Sequence, residues 1–172
     1  GRSRNGLQEF DKYWHECRYL FSSINSLHAQ NGWQPILWTE GPNESSALAS
    51  IYANASVMLV NPLRDGLNLT AKEFIASQQS SPGVLALSKG AGVYSELGNH
   101  CLSVKPTQVH SFVHNILYGL QMSDYEKKKR HRLLKNCVVA NSLSSWWKKF
   151  VDIESSRINS SNNLDKIERI CS

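Results

Sequence analysis

Asp65, Gly66, Asn68 and Glu73 fall within nine residues of one another, in the stretch NPLRDGLNLTAKEF from Asn61 to Phe74. An ionised carboxylate accepts hydrogen bonds and donates none, so Asp65 and Glu73 suit ligands that carry hydroxyls and repel phosphate. Gly66 tolerates backbone angles that other residues resist, and it lets a ligand approach the main chain. A helix is predicted from Leu67. Its first N–H groups lack internal partners and carry the positive end of the helix dipole, which makes an anion site suited to phosphate. Glu73 lies one turn beyond Leu69 on the same helical face, and its carboxylate suits the paired hydroxyls of a ribose. The pattern thus reads sugar at Asp65, phosphate at the helix start and ribose at Glu73, the outline of a nucleotide-sugar. The bland alternative stays open on these residues alone: Asp-Gly is a common turn and a helical Glu is usually solvated. Neither G-x-x-x-x-G-K-[ST] nor G-x-G-x-x-G is present, which excludes a Walker loop and a dinucleotide fingerprint.

The elements that must hold this stretch follow from periodicity. Leu7 to Gln30 carries apolar residues at steps of three and four and is predicted as an amphipathic helix. Ile36 to Thr39 is predicted as a strand, and Glu44 to Asn54 as a short helix. ASVMLVNP is a β-favouring apolar run with its strand at Val57 to Val60, as expected of a strand buried on both faces. Further predictions are a helix over Leu67 to Gln79, a buried strand ending at Ser88, a glycine turn KGAG, a short helix in VYSEL and a fourth strand in HCLSVKP. Helices over Thr107 to Gln121, Ser123 to Val139 and Ser142 to Ile153 complete the series, before a polar linker and a short tail. Alternation of this kind predicts an α/β fold, a Rossmann-like parallel sheet with helices on both faces. Ligands bind such sheets at the carboxyl ends of the strands, where both RDG and KGAG stand.

Length and composition bound the function. The chain has 172 residues, 41% hydrophobic and 19% charged, enough for one globular domain with a core. It begins with Gly, shows no leader and is expected to be a piece of something longer. No apolar run reaches the ~18 residues of a membrane span. Cys17, Cys101, Cys137 and Cys171 are too scattered for a zinc knuckle or a redox pair and are read as free thiols of the cytoplasm. Glycosylation sequons at Asn43, Asn54, Asn68 and Asn159 are discounted, since a glycan on Asn68 would block the candidate site. The net charge of +5 owes much to EKKKRHR, Glu126 to Arg132. This run is read as the wet face of a helix capped by Ser123 and not as a nucleic-acid surface. His110 and His114 lie four apart with no third ligand nearby, so no metal site is expected. Trp146 and Trp147 are expected to pack the last helix.

PLRDGLNLTAKEF, followed by PGVLALSKGAGVYSEL, closely resembles the trehalose-6-phosphate synthase family of retaining glycosyltransferases. SRNGLQEF, GWQPILW and SSWWKKF fit the same family at fitting separations, so the resemblance runs from about Gly1 to Ile153. It implies a glycosyltransferase-B fold of two Rossmann-like domains with the active site between them. Residues 1–154 would be the second, UDP-glucose-binding domain with its start missing, and residues 155–172 a linker and tail.

The implied activity is transfer of glucose from UDP-glucose to glucose 6-phosphate with retention, in trehalose biosynthesis, with no metal and no cofactor. Asp65 would contact hydroxyls of the donor glucose. The backbone amides of Gly66, Leu67, Asn68 and Leu69 would hold the glucose and the distal phosphate. Glu73 would take the ribose, and Leu48 and Thr70 would flank the uracil; the family often has an aliphatic residue where Thr70 stands. Arg4 falls where the family places an arginine on the acceptor phosphate. Asp65 is the apparent candidate catalytic residue for a covalent route. A front-face route is expected instead, in which the leaving phosphate takes the acceptor proton and Asp65 positions the sugar. The arginine and lysine that neutralise the donor diphosphate in the family have no counterpart here, and Lys89 has the wrong spacing for that role. The chain alone is therefore expected not to turn over, its partners being UDP-glucose, glucose 6-phosphate and the missing N-terminal domain or a related subunit, with no nucleic acid or membrane. Two alternatives stay open: a non-catalytic subunit of a trehalose-synthesising complex, and a transferase for another phosphorylated acceptor.

Overall fold

The computed structural model describes residues 7–40, 44–148 and 150–153. Arg4, the linker and the tail lie outside the described residues. The chain divides after Ser45 into two units.

The first unit holds helix α1, Gln8–His28. Its contacts explain why the strand predicted over Ile36 to Thr39 does not form: those residues pair with no neighbouring strand. Asn25, buried on α1, donates its side-chain N–H to the Ile36 carbonyl at 2.9 Å and accepts the Ile36 N–H at 3.0 Å. A side-chain amide thus satisfies both backbone groups that a neighbouring strand would have taken. Trp38 then packs edge-on to Trp14, with ring centroids 5.2 Å apart, and against Phe21 at 5.6 Å. Arg18 stacks on Trp38 and Phe21 and pairs with Glu40 at 2.9 Å.

The second unit, from Ser46, holds all but the first residue of α2 (Ser45–Asn54) and alternates through β1 (Val57–Val60), α3 (Leu69–Ser77), β2 (Val84–Ser88), α4 (Tyr94–Leu97), β3 (Leu102–Val104), α5 (Val109–Gln121) and α6 (Asp124–Ala140). Residues 143–148 and 150–153 are helical as well. The three strands pair in parallel in the order β1-β2-β3, with Val57 opposite Val84 and Ala86 opposite Leu102.

Alternation along β2 builds two cores, because successive side chains leave a strand on opposite faces. Leu85 and Leu87 pack with Phe74 and Ile75 of α3, Leu97 of α4 and Leu134 of α6. Val84 and Ala86 pack on the other face with Leu102, Val104, Met122 and Phe112 of α5. All five β2 residues are buried, the mark of a central strand covered on both sides.

Polar side chains lock the layers together. Gln78 is buried; its amide donates to the Tyr52 carbonyl and accepts from the Gly83 N–H, joining α2 to the loop before β2. His131 Nε2 meets the Ile75 carbonyl at 3.1 Å, and Arg130 reaches the carbonyls of His100 and Cys101. The basic run is thus only partly a wet face: Arg130 and His131 turn inward as struts. Ser123 caps α6 by accepting the Glu126 N–H, whereas the Glu126 carboxylate is taken by Arg130 at 2.8 Å. Trp146 and Trp147 do not bury themselves. They stack on Phe150 of their own helix and stay more than half exposed.

Candidate functional site

The site forms where β1 and β2 end. Each crossover helix runs back along the sheet, so α2 finishes beside the amino edge and α3 starts at the carboxyl edge. Between β1 and α3 the chain makes the turn Asp65-Gly66-Leu67-Asn68, and it is zipped to the loop after β2. Asp65 donates its N–H to the Gly90 carbonyl at 3.0 Å, and its own carbonyl accepts the Gly92 N–H at 2.8 Å. The Leu67 carbonyl accepts the Val93 N–H at 2.9 Å. Asp65 and Ala91 make a parallel bridge, so the ladder of β1 and β2 resumes for one step beyond the sheet.

This zipper explains KGAG. A Cβ on Gly90 would stand 2.2 Å from the Leu63 carbonyl oxygen, and one on Gly92 would stand 2.0 Å from that of Gly66. Only glycine lets the two loops close to hydrogen-bonding distance. Composition alone marks a glycine turn; nothing in it says which backbone the glycines make room for.

Within the turn the left-handed residue is Asn68, with φ 69°, and not Gly66. That conformation is incompatible with helix continuation, so α3 starts at Leu69 and not at the predicted Leu67. Gly66 instead has open space where a Cβ would stand. The Asn68 carboxamide works in both directions: its oxygen accepts the Ala71 N–H at 3.1 Å and its nitrogen donates to Asp65 Oδ2 at 2.9 Å. Asp65 Oδ1 accepts the Leu67 N–H at 3.2 Å. A carboxylate offers about four lone-pair positions, so half of the accepting capacity of Asp65 stays available. The amides of Gly66, Asn68 and Leu69 take no partner among the described residues.

A cavity of about 440 Å³ opens beside this turn, lined by Arg64, Asp65, Gly66, Lys89, Gly92 and Tyr94 among others. Lys89 is among the residues that line this cavity. The cavity brings two cations, one carboxylate and the free N–H of Gly66 together, a surface for a ligand with both hydroxyls and negative charge. Among the described residues no group of three His, Cys, Asp or Glu side chains could hold a metal ion.

The remaining predicted residues sit along α3 and its neighbour α2. Tyr52 meets Phe74 edge-on, with centroids 6.5 Å apart. Leu48 precedes Tyr52 by one turn of α2 and Thr70 precedes Phe74 by one turn of α3, and both are half-buried. Glu73 is exposed on α3. The Tyr52 hydroxyl is held above its ordinary range, first by burial and then by the negative charge of Glu73. Lys72, beside it in sequence, is tied to Glu96 of α4 at 2.7 Å.

Comparison with known proteins assigns the class. The family model for Glycosyltransferase family 20 matches residues 1–155, and the chain belongs to that family. The "Probable alpha,alpha-trehalose-phosphate synthase [UDP-forming] 4" of Arabidopsis thaliana is 33% identical over 151 residues, 88% of this chain and 19% of that protein. A trehalose-6-phosphate synthase of Salmonella arizonae is 33% identical over 150 residues, 87% of this chain and 32% of that protein. Among solved structures, an alpha,alpha-trehalose-phosphate synthase (UDP-forming) from Burkholderia vietnamiensis superposes with TM-score 0.84 at 34% identity, over 92% of this chain and 35% of that one. The Burkholderia xenovorans enzyme in complex with glucose-6-phosphate gives 0.82 at 32% identity, over 87% and 33%. The chain thus spans between a fifth and about a third of the length of these relatives and forms part of one domain of a glycosyltransferase-B fold.

Proposed function

We propose that this chain is the donor-binding part of an enzyme that transfers glucose from UDP-glucose to glucose 6-phosphate with retention, giving trehalose 6-phosphate and UDP. The observation that carries the reading is the Asp65–Leu69 turn: a carboxylate with accepting capacity to spare, beside unpartnered amides at a helix start, on a cavity with two cations. That is the complement of a sugar joined to a diphosphate. The relatives' names give the reaction, and solved relatives hold glucose-6-phosphate and UDP-2-fluoro glucose.

In this reading Asp65 takes hydroxyls of the donor glucose, and the amides of Gly66, Asn68 and Leu69 take the sugar and the distal phosphate, while the Leu67 amide expected to join them is held by Asp65 Oδ1. Glu73 takes the ribose, Leu48 and Thr70 flank the base, and Arg4 serves the acceptor phosphate. The bond from the anomeric carbon to the diphosphate breaks as the bond to the acceptor hydroxyl forms on the same face. The acceptor proton passes to the leaving phosphate oxygen, so no protein nucleophile is needed. Asp65 holds the sugar and is not consumed. No metal or cofactor enters, and the reading carries a cytoplasmic enzyme whose remaining domain supplies most of the acceptor site.

Calorimetry with UDP-glucose on this chain and on Asp65→Ala and Glu73→Ala tests it. Each variant is expected to weaken binding about tenfold or more, the loss of hydrogen bonds to a charged group. A folded chain that does not bind UDP-glucose, or variants that bind as the parent does, would overturn the reading.

A further inference from the structure

The donor reading assigns Asn68 only its backbone N–H, yet its side chain has the most constrained position in the turn. It is half-buried and left-handed, and both carboxamide atoms are engaged, the nitrogen on Asp65 Oδ2 and the oxygen on the Ala71 N–H. We infer that Asn68 is a positioning residue that aims the Asp65 carboxylate through its Nδ2–H while its Oδ1 fixes the first turn of α3, coupling the sugar contact to the phosphate-facing helix start. As a statement about substrate binding, the inference rests on the donor reading above.

The geometry makes the two halves separable. With Oδ2 held by Asn68 and Oδ1 by the Leu67 N–H, the carboxylate plane is fixed by one bond at each oxygen, and one lone pair stays free on each. Asn→Asp at this position keeps a side-chain oxygen for the helix cap, where Asp and Asn are equivalent, and keeps a residue type that tolerates the left-handed region. It removes only the donor and sets a second carboxylate against Asp65. Asn→Gly keeps the backbone conformation and removes both bonds. A structural cap predicts that Gly is the worse change; a positioning residue predicts that Asp is.

Two readouts test this on the full chain. The first needs no ligand. In the 15N-labelled protein the Asn68 side-chain amide resonances are expected to shift when acid protonates Asp65, and the shift is expected to vanish in Asp65→Asn. Resonances that ignore the acid titration overturn the clamp. The second is UDP-glucose affinity. Asn68→Asp is expected to melt somewhat below the parent and to bind about tenfold or more weakly at about pH 8, with recovery at lower pH, where a proton on the variant's carboxylate pair restores a hydrogen bond. Asn68→Gly is expected to lose stability with a smaller, pH-independent loss of affinity. Equal affinity of Asn68→Asp and parent throughout that pH range overturns the positioning role. If the resonances titrate as expected but the parent does not bind UDP-glucose, the clamp stands and the donor reading falls.

Discussion

Two glycines on opposite sides of the same zipper should respond oppositely to one methyl group. At Gly92 a Cβ would lie 2.0 Å from the Gly66 carbonyl oxygen, 2.6 Å from its carbonyl carbon and 3.2 Å from the Leu67 nitrogen. All three are backbone atoms, so no side chain can swing aside. To reach an ordinary contact the loops must part by more than an ångström, which breaks the bonds from Gly92 N–H to Asp65 and from Val93 N–H to Leu67. Two hydrogen bonds at ~1 kcal/mol each and overpacking strain of roughly 2 kcal/mol put Gly92→Ala about 4 kcal/mol below the parent. In a domain of this size that lowers Tm by roughly 12 °C. At Gly66 a Cβ meets nothing within 4 Å, and its φ lies outside the left-handed range. Gly66→Ala should stay within about 0.5 kcal/mol of the parent, yet it projects a methyl towards the cavity and should weaken UDP-glucose binding about tenfold. Thermal melting of both variants, with calorimetry on Gly66→Ala, checks the pair. A Gly92→Ala protein that melts within about 2 °C of the parent would refute the argument that the KGAG loop exists to meet the RDG backbone. A Gly66→Ala protein as unstable as Gly92→Ala would refute the assignment of open space to a ligand.

Gln78→Leu should cost about 3 kcal/mol, since it strands the Tyr52 carbonyl and the Gly83 N–H that the buried amide satisfies; faster hydrogen exchange at Gly83 is the local check, and a melting point unchanged from the parent would sink the claim. Burial pushes the Cys101 thiol up to about 11 from an ordinary 9.0. Its folded value lies above the unfolded one, so the protonated form's contribution is present below about pH 9 and is lost as pH rises towards about 11, roughly 2 to 3 kcal/mol in all. A melting series across that window should show the loss, a Cys101→Val protein should lack it, and alkylation at neutral pH should reach half-buried Cys17 and Cys137 before Cys101.

Hydrophobic pattern by itself determined the second unit. VLALS is the buried central strand its apolar run predicts, and 109–121 is helical as its spacing predicts, because apolar spacing is a local property. VMLV forms a strand but is not buried on both faces as expected: of its residues Val60 alone is buried and Leu59 is exposed, because β1 stands at the edge of the three-stranded sheet. The RDG stretch was legible too, since a carboxylate, a glycine and a helix start in sequence order must fall together in space. Tertiary structure decided what local pattern could not reach. Whether Ile36 to Thr39 pairs as a strand depended on a partner eleven residues away, and Asn25 took its place. Which turn residue goes left-handed depended on the two hydrogen bonds of the Asn68 carboxamide, donated to Asp65 and accepted from Ala71, and the rule that favours glycine pointed to the wrong neighbour. Why KGAG needs its glycines, and why Lys89 lines one cavity with Asp65, depended on the approach of two loops some 25 residues apart, which parallel pairing of β1 and β2 enforces and which no spacing within either loop encodes.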